Sequence, residues 1–119
     1  MSGKIQFTAI TGTGTAGSSS SPISISFNFA PTVAILVGFN QYNTVYLDQR
    51  SITQRGLPVS SLTTSFQEAY AFTKGSGIRT NAKKSSDGKT VYWYVNYGGS
   101  TADDYCNDSS TIYYFMALA

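Results

Sequence analysis

Alternation of apolar and polar residues predicts the first strands of this chain. In Ile23-Ser24-Ile25-Ser26-Phe27 every second residue is apolar. Because successive side chains of a strand point to opposite faces, this pattern indicates a strand with one buried face. The run from Pro31 to Gly38 is apolar on both faces. It predicts a central strand that is covered on both sides, by a second sheet or by a neighbouring subunit.

Further strands are predicted toward the C-terminus. Asp87-Gly88 lies between two strand-forming runs, Ile78–Thr80 and Thr90–Val95, and such a pair is a strong signal for a hairpin turn. The run Thr111–Leu118 is apolar and β-prone, so it predicts an interior strand. Two weaker strand signals, the first with some helical character, lie at Leu62–Phe72 and Gly77–Lys84.

The segments between these signals are predicted to be loops. They are Thr11–Ser21, Phe39–Pro58 and Asn96–Ser110. Long loops in small domains are usually functional or disordered. Since no helical pattern is long enough to cross between parallel strands, the strands should pair antiparallel. The sequence therefore predicts an all-β fold, an antiparallel β-sandwich of about six to eight strands, with residues 1–119 as a single domain.

Composition narrows the possible functions. Charged residues make up 12% of the 119 residues, about half the usual share, so the surface must consist of uncharged polar groups and tyrosine. Such surfaces suit sugars and wet protein interfaces. The net charge of +2 is too small and scattered for nucleic-acid binding, and Arg79, Lys83, Lys84 and Lys89 are interpreted as a solvated hairpin. No apolar run is long enough to cross a membrane, and Met1–Lys4 carries no signal-peptide core.

Ordinary catalytic chemistry has few candidate residues here. The chain has no histidine, and Cys106 is its single cysteine, so neither a common general base nor an internal disulfide is available. The stretch Gly12–Gly17 matches the Gly-x-Gly-x-x-Gly fingerprint, but serines and Pro22 follow it instead of a helix. We therefore expect no cofactor and no enzyme activity.

An acidic segment near the C-terminus leaves two alternatives open. Asp103, Asp104, Asn107 and Asp108 could bind calcium, although they match no EF-hand spacing, and a solvated turn is the favoured interpretation. Asp103 and Asp104, with Glu68, are also the only plausible acids for a glycoside hydrolase. We expect no metal site.

The tyrosines fall into two groups. Those in strands, such as Tyr92 and Tyr94 on the face opposite Trp93, are expected to pack in the core or against a partner chain. Those in loops lie among amides and carboxylates, where an aromatic ring can stack on a sugar. The candidate ligand-binding residues are Tyr42, Asn43, Arg50, Arg55, Tyr97, Asp103, Asp104 and Tyr105.

Several motifs occur in a familiar order. A Gly-Thr-Gly stretch is followed by Ile23–Phe27, by Phe29-Ala30-Pro31-Thr32-Val33, by the run Lys84–Trp93, and finally by Asn107–Ala117. This order resembles the C-terminal domains of tail-fibre or tail-tip proteins of tailed bacteriophages and prophages. The Phe-Ala-Pro-Thr-Val segment is also similar to the H-type lectins, although Trp93 precedes Tyr94-Val95 and is not terminal as in that family.

The resemblance implies a biological role. It implies a homotrimeric, lectin-like receptor-binding tip of a tail fibre that recognises a host cell-surface glycan or protein during adsorption. It also implies assembly in the host cytoplasm, a place on the virion tail, and neither nucleic-acid binding nor membrane insertion. Two alternative hypotheses stay open. One is a purely structural trimerisation or capping domain, and the other is a hydrolase acting on surface polysaccharide.

Overall fold

Two antiparallel sheets pack face to face in this protein. A computed structural model describes residues 3–47, 56–69, 72, 79–97 and 107–119, apart from the side chains of Asn96 and Tyr97. The predicted all-β antiparallel sandwich is confirmed, with nine strands in the described residues where about six to eight were predicted. Within the described ranges the strands are β1 (Ile5–Thr11), β2 (Ile23–Ser26), β3 (Val33–Gln41), β4 (Thr44–Leu47), β5 (Gly56–Leu57), β6 (Gln67–Ala69), β7 (Arg79–Lys84), β8 (Thr90–Tyr97) and β9 (Ile112–Leu118), and a 3₁₀ turn lies at Val59–Ser61.

The two most apolar strands, β3 and β9, lie in the middle of the first sheet. The first sheet has the order β1-β9-β3-β4, with β5 also paired to β3. The second sheet has the order β2-β8-β7-β6. Both β3 and β9 lie between other strands, which confirms that they are interior strands of their sheet. The outer face of β3 is half-buried, and its predicted cover by a neighbouring subunit stays a prediction. In the described residues no helix is long and apolar enough to span a membrane.

The core is built around aromatic rings. Trp93 is fully buried, and its ring lies 5.2 Å from that of Phe72 and 6.4 Å from that of Phe115. Phe72 and Phe115 meet edge to face at 5.0 Å, a favourable arrangement for aromatic pairs. Phe72 has a left-handed backbone with a φ of 47°, so packing of its buried ring helps to offset the cost of that conformation.

The predicted hairpin at Asp87-Gly88 is confirmed, and it joins β7 to β8. Gly88 has a φ of 74° and its N–H donates to Ser85 O at 2.9 Å. The Ser85 hydroxyl donates to Asp87 Oδ1 at 2.6 Å, and the Lys89 N–H donates to the same oxygen at 3.0 Å. These two hydrogen bonds, that of Ser85 first, lower the pKa of Asp87 below its ordinary value because they favour the carboxylate.

Three loop and strand predictions need correction. Phe39–Pro58 is not one loop, because β3 continues to Gln41 and β4 and β5 follow. Among the described residues between 62 and 72, the only strand is β6. The sequence did not predict β1. Asn96 and Tyr97 belong to β8 and not to a loop, while residues 98–106 lie outside the described part. The β3–β4 turn contains no glycine, so the usual sign of a hairpin was missing.

Candidate functional site: a polar cleft beside the β3–β4 hairpin

A polar cleft lies where the β3–β4 turn faces the segment that leads into β9. Its volume is about 340 Å³, within the range of small-ligand pockets. One wall is the turn and the other is the residues just before and at the start of β9. We call this site the hairpin cleft, and its lining residues are Asn40, Gln41, Tyr42, Asn43, Asp108, Ser109, Ser110, Thr111 and Ile112.

The tip of the hairpin holds a tyrosine in an unfavourable conformation. Gln41 pairs with Thr44, so Tyr42 and Asn43 are the two central residues of a tight turn. Their φ angles of 54° and 59° are those of a type I′ turn, which favours Asn and Gly. A bulky residue in this region costs on the order of 1–3 kcal/mol. Since the Tyr42 side chain is 86% exposed, packing within the chain does not offset this cost.

The base of the hairpin is fixed by aromatic packing. The Phe39 ring stacks on Tyr46 of β4 at 4.8 Å and lies 6.2 Å from Tyr113 of β9. Gly38 allows the two strands to approach, because a Cβ there would lie 2.5 Å from the Tyr46 carbonyl oxygen. The turn that carries Tyr42 is therefore supported by the buried rings of Phe39 and Tyr113.

Asp108 connects the two walls of the cleft. The Gln41 side-chain amide donates to Asp108 Oδ2 at 2.7 Å. The Asp108 N–H in turn donates to the hydroxyl of Tyr113 at 2.9 Å. Gln41 thus holds the half-buried Asp108 carboxylate between the two walls.

Asn107 anchors the second wall to the N-terminal loop. Its buried side-chain amide donates to Thr13 Oγ1 at 2.8 Å and to Thr15 O at 2.9 Å, while its Oδ1 accepts from the Thr13 N–H at 3.0 Å. Its backbone oxygen accepts from the Gly14 N–H at 2.7 Å. The Gly12–Gly17 stretch is therefore a loop that packs against residue 107, as expected from the missing helix.

The floor of the cleft contains a further strained residue and an unpaired hydroxyl. Ser110 has a φ of 66° in the turn that Thr111 closes by donating its N–H to Asp108 O at 3.2 Å. Thr111 is buried, and its Oγ1 finds no hydrogen-bond partner among the residues that the structure describes.

The chemistry of the lining indicates a neutral polar ligand. The described lining contains one carboxylate, three side-chain amides, three hydroxyl groups outside tyrosine and one exposed aromatic ring, and it contains no Lys or Arg. A carboxylate and amides beside an aromatic ring suit a ligand that combines hydroxyl groups with an apolar face.

Comparison of the chain with protein-family models, curated proteins and solved structures found no significant match.

The structure brings together two of the eight predicted ligand-binding residues. Tyr42 and Asn43 both line the hairpin cleft. Tyr97 is the last residue of β8, and its side chain is not described. The other five, which all lie outside the described residues, are Arg50, Arg55, Asp103, Asp104 and Tyr105.

The sequence prediction missed most of the second wall. Asp108 was considered only as a metal ligand, and Gln41 and Ser109–Thr111 were not considered. The available signal was the density of Asx and Ser residues just before an apolar strand, which is typical of a structured turn.

The part of the acidic segment that the structure describes does not form a metal site. Among the residues that the structure describes, no three His, Cys, Asp or Glu side chains group around a possible ion. The Asn107 amide is already occupied by the N-terminal loop, and Asp108 accepts from Gln41. Glu68 is exposed on β6 of the second sheet, while Asp103, Asp104 and Cys106 lie outside the described residues.

Proposed function

We propose that this chain is a non-enzymatic, lectin-like binding module at the tip of a phage-type tail fibre. It recognises a host cell-surface glycan or protein and acts as a homotrimer on the virion tail. The observation that carries the binding proposal is Tyr42, a bulky residue with a positive φ that is nevertheless 86% exposed. Strain that packing does not offset is characteristic of functional positions.

A glycan is the ligand class that the cleft favours. Sugar hydroxyls both donate and accept hydrogen bonds, and the cleft offers the Asp108 carboxylate as acceptor and the Asn43 amide as donor and acceptor. The apolar face of a sugar ring can stack on the Tyr42 ring. The absence of basic side chains from the described lining favours a neutral sugar over an acidic one.

Three copies of a weak site would provide firm adhesion. A second binding event on a linked assembly is intramolecular, so overall avidity exceeds the affinity of one site without any new contact. A small cleft in each subunit is therefore compatible with attachment of a virion to a cell surface.

A glycan array and a host-cell adsorption assay test this proposal. The probe is the protein coupled to beads at high valency, compared with Tyr42→Ala and Asp108→Asn. We expect each change to weaken binding to the selected glycan about tenfold, equivalent to about 1.4 kcal/mol. Tyr92→Ala, on the outer face of the second sheet, is the matched control and should bind like the wild type.

Two results would contradict the proposal. One is the absence of any signal from multivalent protein on both glycans and host cells. The other is unchanged adsorption by the two cleft variants in a trimer of normal mass. The second result would assign the chain to the purely structural trimerisation or capping role. Cleavage of surface polysaccharide that depends on Glu68, Asp103 or Asp104 would instead support a hydrolase.

A further inference from the structure

The outer face of the first sheet is apolar, although the outer face of a sandwich usually meets water. Residues that pair across antiparallel strands point to the same face, so the register of β1 and β9 identifies the outward positions. The outward pairs are Ile5 with Leu118, Phe7 with Met116, and Ala9 with Tyr114. None of these six residues is polar apart from the tyrosine hydroxyl.

The same face continues across β3 and β4. Val33 pairs with Leu118 and Ile35 pairs with Met116. Gly38 pairs with both Tyr114 and Leu47, which brings Leu47 into the third row. We call these three rows, from β1 to β4, the apolar face. It contains no charged residue.

The outer face of the second sheet is polar, in contrast to that of the first sheet. Its outward pairs include Ser24 with Tyr92, Ser26 with Thr90, and Lys83 with Tyr92. Asn81 and Glu68 also pair on this side. The composition of the chain therefore does not force an apolar exterior, and the apolar face is a local property of the first sheet.

The exposed area is large enough to form an interface. Ile5, Phe7 and Leu47 are 60%, 72% and 69% exposed. Since a large apolar side chain carries roughly 200 Å², these three alone leave on the order of 400 Å² in water. The half-buried residues of the face add to this area, and a specific interface needs roughly 500 Å² from each partner, half of a total of roughly 1,000 Å².

The shape and chemistry of the face fit a second copy of itself. A surface without charges needs no complementary charges on its partner. The face also has a depression of about 280 Å³ lined by Phe7, Ala9 and Tyr114, beside the protruding Phe7 ring. Because one surface carries both the Phe7 ring and the depression, the ring of one copy can enter the depression of a second copy.

We infer that copies of this chain assemble through the apolar face of the first sheet. This inference concerns a surface other than the ligand cleft and does not depend on glycan binding. The next row of the sheet pairs Ile112 with Asn40, and both residues line the hairpin cleft. A neighbouring copy therefore borders the cleft and contributes to its rim.

The test is the molar mass in solution, measured by light scattering over a range of concentrations. The chain has a mass of 12.8 kDa, so a dimer has 2 × 12.8 = 25.6 kDa and a trimer 3 × 12.8 = 38.4 kDa. We expect the wild type to show the trimer mass and Phe7→Lys to show a threefold lower one. A dimer mass that falls twofold in Phe7→Lys would support the interface and contradict the proposed homotrimer. Ser24→Lys adds the same charge to the outer face of the second sheet and should keep the wild-type mass.

Circular dichroism of Phe7→Lys checks that the variant is folded, and Leu47→Lys on the opposite edge of the face provides a second test. A monomeric wild type overturns the inference, and so does an undiminished mass in both folded lysine variants. A monomer that binds phosphatidylcholine vesicles through Phe7 would assign the face to lipid instead. If the wild type is a monomer that binds glycans, the inferred interface is wrong and the proposed ligand recognition stands. If the wild type assembles and binds no glycan, only the inferred interface stands.

Discussion

Asn107 and Thr13, which are 94 positions apart in the chain, exchange two hydrogen bonds through one side-chain amide. The amide accepts from the Thr13 N–H and donates to the Thr13 hydroxyl. Both residues belong to segments that lack regular secondary structure. The pair therefore fixes the N-terminal glycine-rich loop against the wall of the hairpin cleft.

Replacing this amide should destabilise the protein. Asn107→Ala removes three side-chain hydrogen bonds and leaves a cavity at a buried position. We expect the free energy of unfolding to fall by about 2–4 kcal/mol, because a hydrogen bond contributes roughly 1 kcal/mol and unpaired buried groups cost more. Urea denaturation measures the change. The exposed neighbour Ser109→Ala is the control, and an equal loss in both variants would contradict this prediction.

A methyl group at Gly12 should also be poorly tolerated. A Cβ at this buried residue would overlap the backbone oxygen of Asp108, and backbone cannot move aside without shifting the cleft wall. We expect Gly12→Ala to cost about 1–3 kcal/mol or more. Gly56→Ala is a matched control, because its Cβ would meet only side-chain atoms at 3.7 Å and beyond. If thermal unfolding shows that Gly56→Ala is the less stable of the two variants, the overlap at Gly12 is relieved by local movement and the prediction is wrong.

The β7–β8 turn should respond to acid. The pKa of Asp87 is lowered by the Ser85 hydroxyl and the Lys89 N–H, so its stabilising effect is complete above the ordinary value of 3.8. The effect is lost as the pH falls through the lower pKa of the folded state. We therefore expect Asp87→Asn to be less stable than the wild type at neutral pH, and the difference to shrink below pH 3.8. An NMR titration of the Asp87 carboxyl checks the direction, and a pKa above 3.8 would contradict it.

The single tryptophan should report on the core. Trp93 is fully buried between aromatic rings, and its Nε1 finds no hydrogen-bond acceptor in the described residues. Trp93→Ala should therefore cost about 3–5 kcal/mol through the cavity that it leaves. Trp93→Phe should cost clearly less, because it fills most of the space and removes an unpaired donor. Circular dichroism during denaturation compares the two, and equal losses would indicate that the indole itself is required.

Much of the sandwich could be predicted from the alternation of apolar and polar residues, but alternation did not identify the buried face of every strand. In β2 the apolar residues Ile23 and Ile25 point inward, as the pattern predicts. In β1 the apolar residues Ile5 and Phe7 point outward. Alternation assigns the apolar residues of a strand to its buried face. In β1 these two apolar residues are exposed and the polar residues Gln6 and Thr8 are half-buried, so the same rule would assign the wrong face there.

The hairpin cleft could be predicted only in part, because its walls come from distant parts of the chain. Tyr42 and Asn43 stood out as an aromatic and an amide in a polar segment. Asp108 joins them through Gln41, a contact that depends on the pairing of β3 with β9. No local pattern contains that pairing.

The position of β9 between β1 and β3 also limits how the chain can fold. Ile5 pairs with Leu118, and Val33 pairs with the same residue, so the strands on both sides of β9 are contributed by much earlier parts of the chain. Closing such long loops precedes the gain from pairing, and folds of this high contact order fold on millisecond to second timescales. During synthesis, β1 and β3 leave the ribosome well before their shared neighbour. The complete first sheet therefore forms only after translation of β9, and until then the unpaired edges of β1 and β3 are prone to aggregation.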